Sequence, residues 1–268
     1  MKRILILTAI LVVQYSFAGT VSYLRFEENG GATAYDETGL LDGEFNSFMP
    51  TEPGGGDTGF RGWSTDVPGA SIPQTGVDNN GSIRFAGGSE YIDLSNYNDL
   101  LLGYSFTIEM FIKPDDPNIS VLFGLSPGAG LSVTISESLG EDYFNLNFMG
   151  QMPYALATGL QIDEWQHFAL VKEPGLYRIY LDGVLAAQDS LPASSDGPYD
   201  FPGTGIIGDR TLGGPSGTWS GYIDEFRISD EALTPDQFLN ASIPEPGTSL
   251  LIGMGLLCLI RKRSKPHS

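Results

Sequence analysis

Cysteine and histidine are almost missing from the 268 residues of this chain. The single cysteine, Cys258, lies near the C-terminal end, so the rest of the chain has no internal disulfide and no thiolate metal site. Of the two histidines, only His167 lies in the middle of the sequence, which argues against a zinc site. Stability must therefore come from an apolar core, which a chain of this size can build without covalent or metal cross-links.

Basic residues are scarce as well, since 14 Lys and Arg stand against 33 Asp and Glu, for a formal net charge of −19. Six of these basic residues lie within the first three and the last eight positions, so the middle of the chain is more acidic still. Such a charge repels phosphate backbones and argues against a nucleic-acid partner. It is compatible with bound divalent cations.

The N-terminal end has the layout of a secretory signal peptide. Lys2 and Arg3 precede an apolar run from Ile4 to Val13, and a small-x-small cleavage site ends at Ala18. A buried helix is the poorer interpretation, because the run is short and lacks a capping residue. We expect residues 1–18 to be removed on export and the mature chain to begin near Gly19.

The C-terminal end, residues 243–265, indicates a short membrane segment. Pro244-Glu245-Pro246 precedes an uncharged run over residues 248–260, and Arg261-Lys262-Arg263 follows it. The 13 residues of the run would extend about 20 Å as a helix, short of the ~20 residues of a usual span. The positive-inside rule places the basic cluster on the cytoplasmic side.

This tail resembles a PEP-CTERM sorting signal in its Pro-Glu-Pro triplet, short apolar helix and final basic cluster. The resemblance implies recognition by an exosortase in a Gram-negative bacterium, commonly one that makes exopolysaccharide. It also implies transient anchoring in the inner membrane, followed by placement at the cell surface or in the extracellular matrix. The alternative is an ordinary C-terminal anchor, and whether the tail is cleaved stays open.

The body, residues 19–242, reads as strands and turns. Between Glu164 and Ala187 the apolar residues alternate, and Asp182-Gly183 is a pair favoured in type I′ hairpins, so this stretch predicts three antiparallel strands. Similar short strands recur through the body with almost no helical periodicity, which indicates a sandwich or barrel. The exceptions are a Gly- and Pro-rich loop at residues 46–82, which could hide a short hairpin, and a short helix capped by Thr234.

Several segments in series resemble a laminin-G-like domain of the concanavalin A-like lectin and glucanase superfamily. The matching segments are residues 23–26, 36–39, 90–94, 105–113, 165–170, 180–183 and 221–228, followed by 232–237. The resemblance implies an all-β fold, an antiparallel jelly-roll sandwich closed by one short C-terminal helix.

Hydrolysis of glycosides is the enzyme activity to test first, because this superfamily includes glucanases. It needs two carboxylates across one cleft. Strand alternation places Tyr222, Asp224 and Phe226 on one face and Glu225 on the other, so the pair cannot serve one sugar. His167 has no triad partner motif. We therefore expect no catalytic residues and no enzyme activity.

Calcium is the one cofactor that the composition leaves open. Relatives with this fold bind it in loops at the rim, and Asp36, Asp42, Asp93 and Asp209 are imaginable ligands. No D-x-D-x-D-G loop occurs in the sequence, so the metal ligands stay unassigned.

Aromatic side chains could offer flat faces to a sugar, namely Trp63, Tyr199, Trp219 and Tyr222. For Trp219 and Tyr222 the favoured interpretation is a place in the core of the last strand. Trp165 is likewise expected to be a core anchor.

Together these features predict an exported, surface-directed, non-catalytic binding or adhesion module for extracellular glycans or matrix proteins. The alternatives are a structural matrix or biofilm component without a specific ligand, and a divergent glycoside hydrolase. The ligand and the oligomeric state stay open.

Overall fold

The computed structural model describes the body of the chain with short gaps. The described residues are 19–46, 62–88, 90–94, 101–116, 120–125, 131–138, 141–148, 154–156, 159–191, 196–200, 205–208 and 218–242. The expected signal peptide with its Ala18, the sorting motif Pro244–Pro246, the membrane segment 248–260 and the basic cluster Arg261–Arg263 lie outside them. Within the described ranges, no helix has the length and hydropathy needed to cross a membrane.

Eighteen β-strands make up nearly all of the regular structure that is described. They are Thr20–Leu24 (β1), Thr33–Ala34 (β2), Gly43–Asn46 (β3), Gly62–Ser64 (β4), Ser82–Ala86 (β5), Tyr91–Asp93 (β6), Leu101–Gly103 (β7), Phe106–Pro114 (β8), Ser120–Leu125 (β9), Leu131–Ser138 (β10), Glu141–Phe148 (β11), Tyr154–Leu156 (β12), Gln166–Glu173 (β13), Leu176–Leu181 (β14), Val184–Ser190 (β15), Tyr199–Asp200 (β16), Gly205–Ile207 (β17) and Ser220–Ser229 (β18).

Sixteen of these strands form two facing sheets of eight strands each. The first sheet has the order β15-β14-β13-β8-β18-β5-β4, and β1 pairs with the second half of β18. The second sheet has the order β12-β11-β10-β9-β17-β6-β3-β2, while β16 and β7 form a separate pair. The strand pairs of the described residues are antiparallel. This confirms the expected antiparallel sandwich of two sheets, which is consistent with a jelly roll.

The core lies between the two sheets and consists of inward-facing side chains from both. Examples are Ile108, Met110, Phe168, Leu170 and Phe226 from the first sheet, and Ile92, Phe123, Val133, Ile135 and Ile207 from the second. Burying one such side chain contributes about 1.5–3 kcal/mol to folding. The apolar core therefore stabilises the fold without disulfides.

The predicted stretch from Glu164 to Ala187 forms the strands β13, β14 and β15. Asp182 and Gly183 have φ angles of 50° and 77° in the turn, as a type I′ hairpin requires. The alternation of β13 is also confirmed, because Phe168 lies in the main core and Ala169 on the opposite face.

The stretch expected to be a loop at residues 46–82 contains a strand. β4 pairs with β5, so that Trp63 lies opposite Ile83. The Trp63 indole is buried, donates a hydrogen bond to the carbonyl of Gly31 at 3.1 Å and packs edge-on against Phe45. Trp63 therefore anchors this stretch to the sandwich, whereas residues 47–61 fall outside the described residues.

The C-terminal strap, residues 230–242, crosses the outer face of the first sheet, which is the face turned away from the second sheet. The expected helix is a single 3-10 turn at Pro235–Gln237, where the Thr234 N–H donates to Gln237 Oε1 at 2.9 Å. Leu233 and Phe238 pack on the outward side chains of β13. Leu239 packs on Tyr23, Ile72 and Phe111.

A buried carboxylate, Glu109 on β8, holds the strap in place. One oxygen accepts hydrogen bonds from the Arg227 guanidinium, and the other accepts from His167 Nε2 at 2.8 Å and from the Leu239 N–H at 2.9 Å. Burial alone would raise the pKa of Glu109, but Arg227 and His167 hold it below its usual value. His167 is thus a buried structural residue.

Replacing Glu109 with glutamine tests this network. Glu109→Gln leaves the Arg227 charge buried without its counter-ion, so the free energy of unfolding should fall by about 3 kcal/mol. Denaturant unfolding of the full-length chain measures this, and Glu231→Gln, an exposed glutamate of the same strap, is the matched control. Equal unfolding midpoints for Glu109→Gln and wild type would show that the network does not hold the strap.

Candidate functional site

A row of four side chains crosses the outer face of the first sheet. Tyr222 of β18 lies opposite Arg84 of β5 on one side and Lys113 of β8 on the other. The Arg84 guanidinium carbon is 5.0 Å and the Lys113 Nζ 5.3 Å from the centre of the Tyr222 ring. The Trp165 ring follows, 5.9 Å from that of Tyr222 at an interplanar angle of 55°. We call Arg84, Tyr222, Lys113 and Trp165 the ladder.

Two carboxylates fix the polar groups of the ladder. Asp66 accepts from Lys113 Nζ at 2.7 Å and from Trp165 Nε1 at 2.8 Å, one bond to each oxygen. Asp115 forms an ion pair with Arg84 and accepts from Ser220 Oγ at 3.2 Å. Two cations therefore face two anions, and the formal charge of the patch is zero.

The ladder is partly open to solvent. The side chains of Arg84 and Lys113 are 17% and 21% exposed, and those of Asp115 and Asp66 are 25% and 38% exposed. Tyr222 and Trp165 are half-buried. Aromatic rings beside a few fixed polar groups are the usual lining of small-ligand sites. The arrangement can therefore hold a ligand that has apolar faces and hydroxyl groups.

The aromatic predictions are partly wrong. Trp219 is buried in the core, as expected. Trp63 is buried there as well, which is consistent with its anchoring role. Tyr222, however, lies on the outer face, and Trp165 packs on the outer cluster of Tyr23 and its neighbours instead of on the main core. Of Tyr199 the structure describes only the backbone. Neighbouring side chains of a strand point to opposite faces, so the apolar Ile223 beside Tyr222 could have predicted that Tyr222 faces outward.

A β-bulge interrupts β18 just beyond the ladder. Asp224 lies opposite Phe111 and Arg227 opposite Glu109, so Glu225 and Phe226 together face one residue of β8. Glu225 has a φ of 54°. Phe226 therefore turns into the core, while Asp224 and Glu225 both lie on the outer side, among partners such as Asn79 and Tyr23. The expectation that these carboxylates occupy opposite faces is wrong, because alternation fails at the bulge.

Glu225 is buried and bonded to the side chains of Tyr23 in β1 and of Arg25, which follows β1. Tyr23 donates its hydroxyl to one carboxylate oxygen, and Arg25 contacts the other at 3.0 Å. Burial raises the pKa of Glu225 to about 7, although Arg25 and the Tyr23 hydroxyl act to lower it. The same burial and the Glu225 charge raise the pKa of Tyr23.

Asp224 faces an amide. Its Oδ2 accepts from Asn79 Nδ2 at 2.9 Å, while Asp224 Oδ1 and Asn79 Oδ1 have no hydrogen-bond partner among the described residues. Burial, and then the charge of Glu225, raise the pKa of Asp224 well above its usual value. The raised pKa of Asp224 favours the neutral acid.

Of the candidate calcium ligands, Asp36 and Asp42 are neighbours, and both accept hydrogen bonds from backbone N–H groups. Asp36 accepts backbone hydrogen bonds from Tyr23, Thr38 and Leu41, and Asp42 accepts one from the Asp36 N–H. Asp93 lies in β6, and Asp209 is outside the described residues. In the part of the chain that the structure describes, no three His, Cys, Asp or Glu residues are grouped as metal ligands.

The family model of the concanavalin A-like lectin/glucanases superfamily, in its laminin-G form, matches residues 86–238. This is more than half of the chain. The chain belongs to this superfamily. A model of the PEP-CTERM protein-sorting motif also matches, at residues 242–264. The sorting signal implies recognition by an exosortase-type enzyme, export and surface localisation. No curated protein matches the sequence.

Solved structures share the concanavalin A-like fold with this chain. Domain 4 of AbnA, an extracellular arabinanase from Geobacillus stearothermophilus in complex with arabinotriose, is 18% identical with a TM-score of 0.57, over 83% of this chain and 97% of that one. The binding domain of Paraclostridial Mosquitocidal Protein 1 is 14% identical with a TM-score of 0.56, over 83% of this chain and 51% of that one. Trypanosoma rangeli sialidase in complex with sialic acid is 15% identical with a TM-score of 0.54, over 82% of this chain and 32% of that one. At these identities the likeness shows the fold alone.

The raised pKa values make the stability of this concanavalin A-like domain depend on pH. Asp224 and Glu225 titrate near pH 4 when unfolded and at higher pH when folded, so their protonated forms favour the native state. This stability is fully present below about pH 4 and is lost as the pH rises through the raised pKa values of the folded protein, which for Glu225 is about 7. Asp224→Asn keeps position 224 uncharged at every pH, so one of the two coupled charges is gone.

We therefore expect the stability of the wild type relative to Asp224→Asn to fall by on the order of 2 kcal/mol between about pH 5 and pH 8. Thermal unfolding of the full-length proteins across this range measures the difference. Asp163→Asn, which alters an exposed turn carboxylate, should keep the wild-type slope. Parallel curves for wild type and Asp224→Asn would contradict the prediction.

Proposed function

We propose that the chain is an exported, surface-directed, non-catalytic module that binds extracellular glycans through the ladder. The observation that carries this proposal is the half-buried pair Trp165 and Tyr222, framed by two fixed ion pairs on a sandwich of the lectin superfamily. After transient anchoring in the inner membrane, the sorting tail would deliver the domain to the cell surface or the extracellular matrix.

The chemistry of the ladder supports a sugar ligand. The C–H faces of a pyranose or furanose are apolar and pack on aromatic rings, while its hydroxyls bond to carboxylates and to Arg or Lys. Because Asp66 and Asp115 already hold the cations in place, little side-chain entropy is lost on binding. The arabinanase domain that shares the fold was solved with arabinotriose, which makes arabino-oligosaccharides reasonable first probes.

A glycan array of the full-length chain, with and without calcium, tests binding. Trp165→Ala should weaken binding to any positive glycan at least about tenfold, because aromatic anchors dominate such contacts. Tyr35→Ala, which removes an exposed aromatic remote in sequence from the ladder, should leave binding unchanged. A blank array in both conditions, or equal loss in both variants, would count against the proposal.

We also propose that the domain does not hydrolyse glycans. The two carboxylates of β18 are fully buried, and Glu225 is engaged by Tyr23 and Arg25, which supports a structural role for them. Incubation with a bound polysaccharide should release no reducing sugar above the level of a heat-denatured sample. Release that disappears in both Asp224→Asn and Glu225→Gln, with folding intact, would establish a hydrolase instead.

A further inference from the structure

We propose that the ladder selects uncharged glycans and rejects anionic ones such as uronate or sulfated polysaccharides. This inference rests on the proposed glycan binding and adds the class of sugar. It follows from how the charges of the ladder are already paired.

Neither cation of the ladder is free to receive an anion. Lys113 Nζ is held by Asp66 at 2.7 Å, and Arg84 forms an ion pair with Asp115. Each cation also lies against the Tyr222 ring. A ligand carboxylate would have to displace a carboxylate that is covalently part of the domain and therefore always present at high local concentration.

Among the charged groups at the ladder, the carboxylates are more exposed than the cations. The Asp66 and Asp115 side chains are 38% and 25% exposed, more than the Lys113 and Arg84 side chains with which they pair. Each carboxylate oxygen has lone pairs beyond the bonds described here, so it can accept from a sugar hydroxyl. A ligand carboxylate carries no donor at neutral pH and would meet like charge at this position.

The field of the whole protein acts in the same direction. With a formal net charge of −19, the chain repels polyanions at a distance and slows their approach. A neutral polysaccharide experiences neither this repulsion nor the local one. Its affinity should therefore change little with salt, whereas weak binding of a polyanion would strengthen as salt screens the repulsion.

Polygalacturonan offers a matched pair of probes, since its methyl ester is neutral and its free acid is anionic on the same backbone. Arabinan and dextran extend the neutral set, and alginate and dextran sulfate the anionic set. The full-length chain is purified in a detergent without a sugar headgroup. Calorimetry then measures binding at 0.05 and 0.5 M NaCl, where the Debye length is about 14 and 4 Å.

The wild type should bind at least one neutral probe, with less than about a twofold change between the two salt concentrations, and bind its anionic counterpart at least tenfold more weakly. Tyr222→Ala should weaken the neutral binding about tenfold, and Tyr35→Ala should not.

The double variant Asp66→Asn, Asp115→Asn frees both cations, so its affinity for the anionic probes should rise at least tenfold. Either single variant, which is less disruptive to the fold, should gain part of this. The control double variant Asp189→Asn, Asp236→Asn removes two exposed carboxylates that are not sequence neighbours of any ladder residue and should gain nothing.

The outcomes separate the two proposals. Binding of anionic probes by the wild type that is as strong as neutral binding, and that Tyr222→Ala abolishes, overturns the selectivity but leaves glycan binding at the ladder in place. Failure of every aspartate variant to gain anionic binding overturns the charge argument. Absence of binding to all probes at both salt concentrations overturns both proposals.

Discussion

One extra residue in β18 decides where the later side chains of that strand point. Glu225 and Phe226 together face a single residue of β8, and Glu225 takes a left-handed φ of 54° to allow it. Strict alternation from the buried Ile223 would turn Arg227 into the core and Phe226 out of it. With the bulge, Phe226 packs in the core and Arg227 meets Glu109 on the outer face. The strap that covers this face therefore depends on the bulge.

The bulge also divides the polar groups of β18 into a partly exposed set, which we call open, and a buried set, which we call closed. Before it, Tyr222 belongs to the partly exposed ladder; at it, Asp224 and Glu225 are fully buried. Buried ionic groups contribute little net stability compared with apolar residues of the same volume, so the closed set acts mainly by fixing geometry. Asn79 and Arg25 bring chain segments that are distant in sequence onto β18. The open set keeps partial access to solvent.

Local patterns predicted the fold well, and the site poorly, for physical reasons. The Asp182-Gly183 hairpin and the alternation of β13 are encoded by neighbouring residues, so the sequence contains them in full. The bulge at Glu225 is imposed by pairing with β8, more than a hundred residues away, and no local motif marks it. The ladder likewise joins side chains from β5, β8 and β18 and from the residue before β13. Tyr222 beside Ile223, and Arg84 between Ile83 and Phe85, could have been placed outward from their neighbours alone, but their contact across β18 and β5 could not.

The strap limits how far the sorting motif can lie from the folded domain. Leu239 is buried and bonded through its N–H to Glu109 at 2.9 Å. Pro244, the first residue of the motif, follows five residues later. Because an extended chain spans at most about 3.6 Å per residue, the motif begins within about 18 Å of that contact. A sorting enzyme therefore meets its motif next to the folded sandwich unless the strap detaches. The Glu109 network thus bears on both the covering of the outer face and the presentation of the tail.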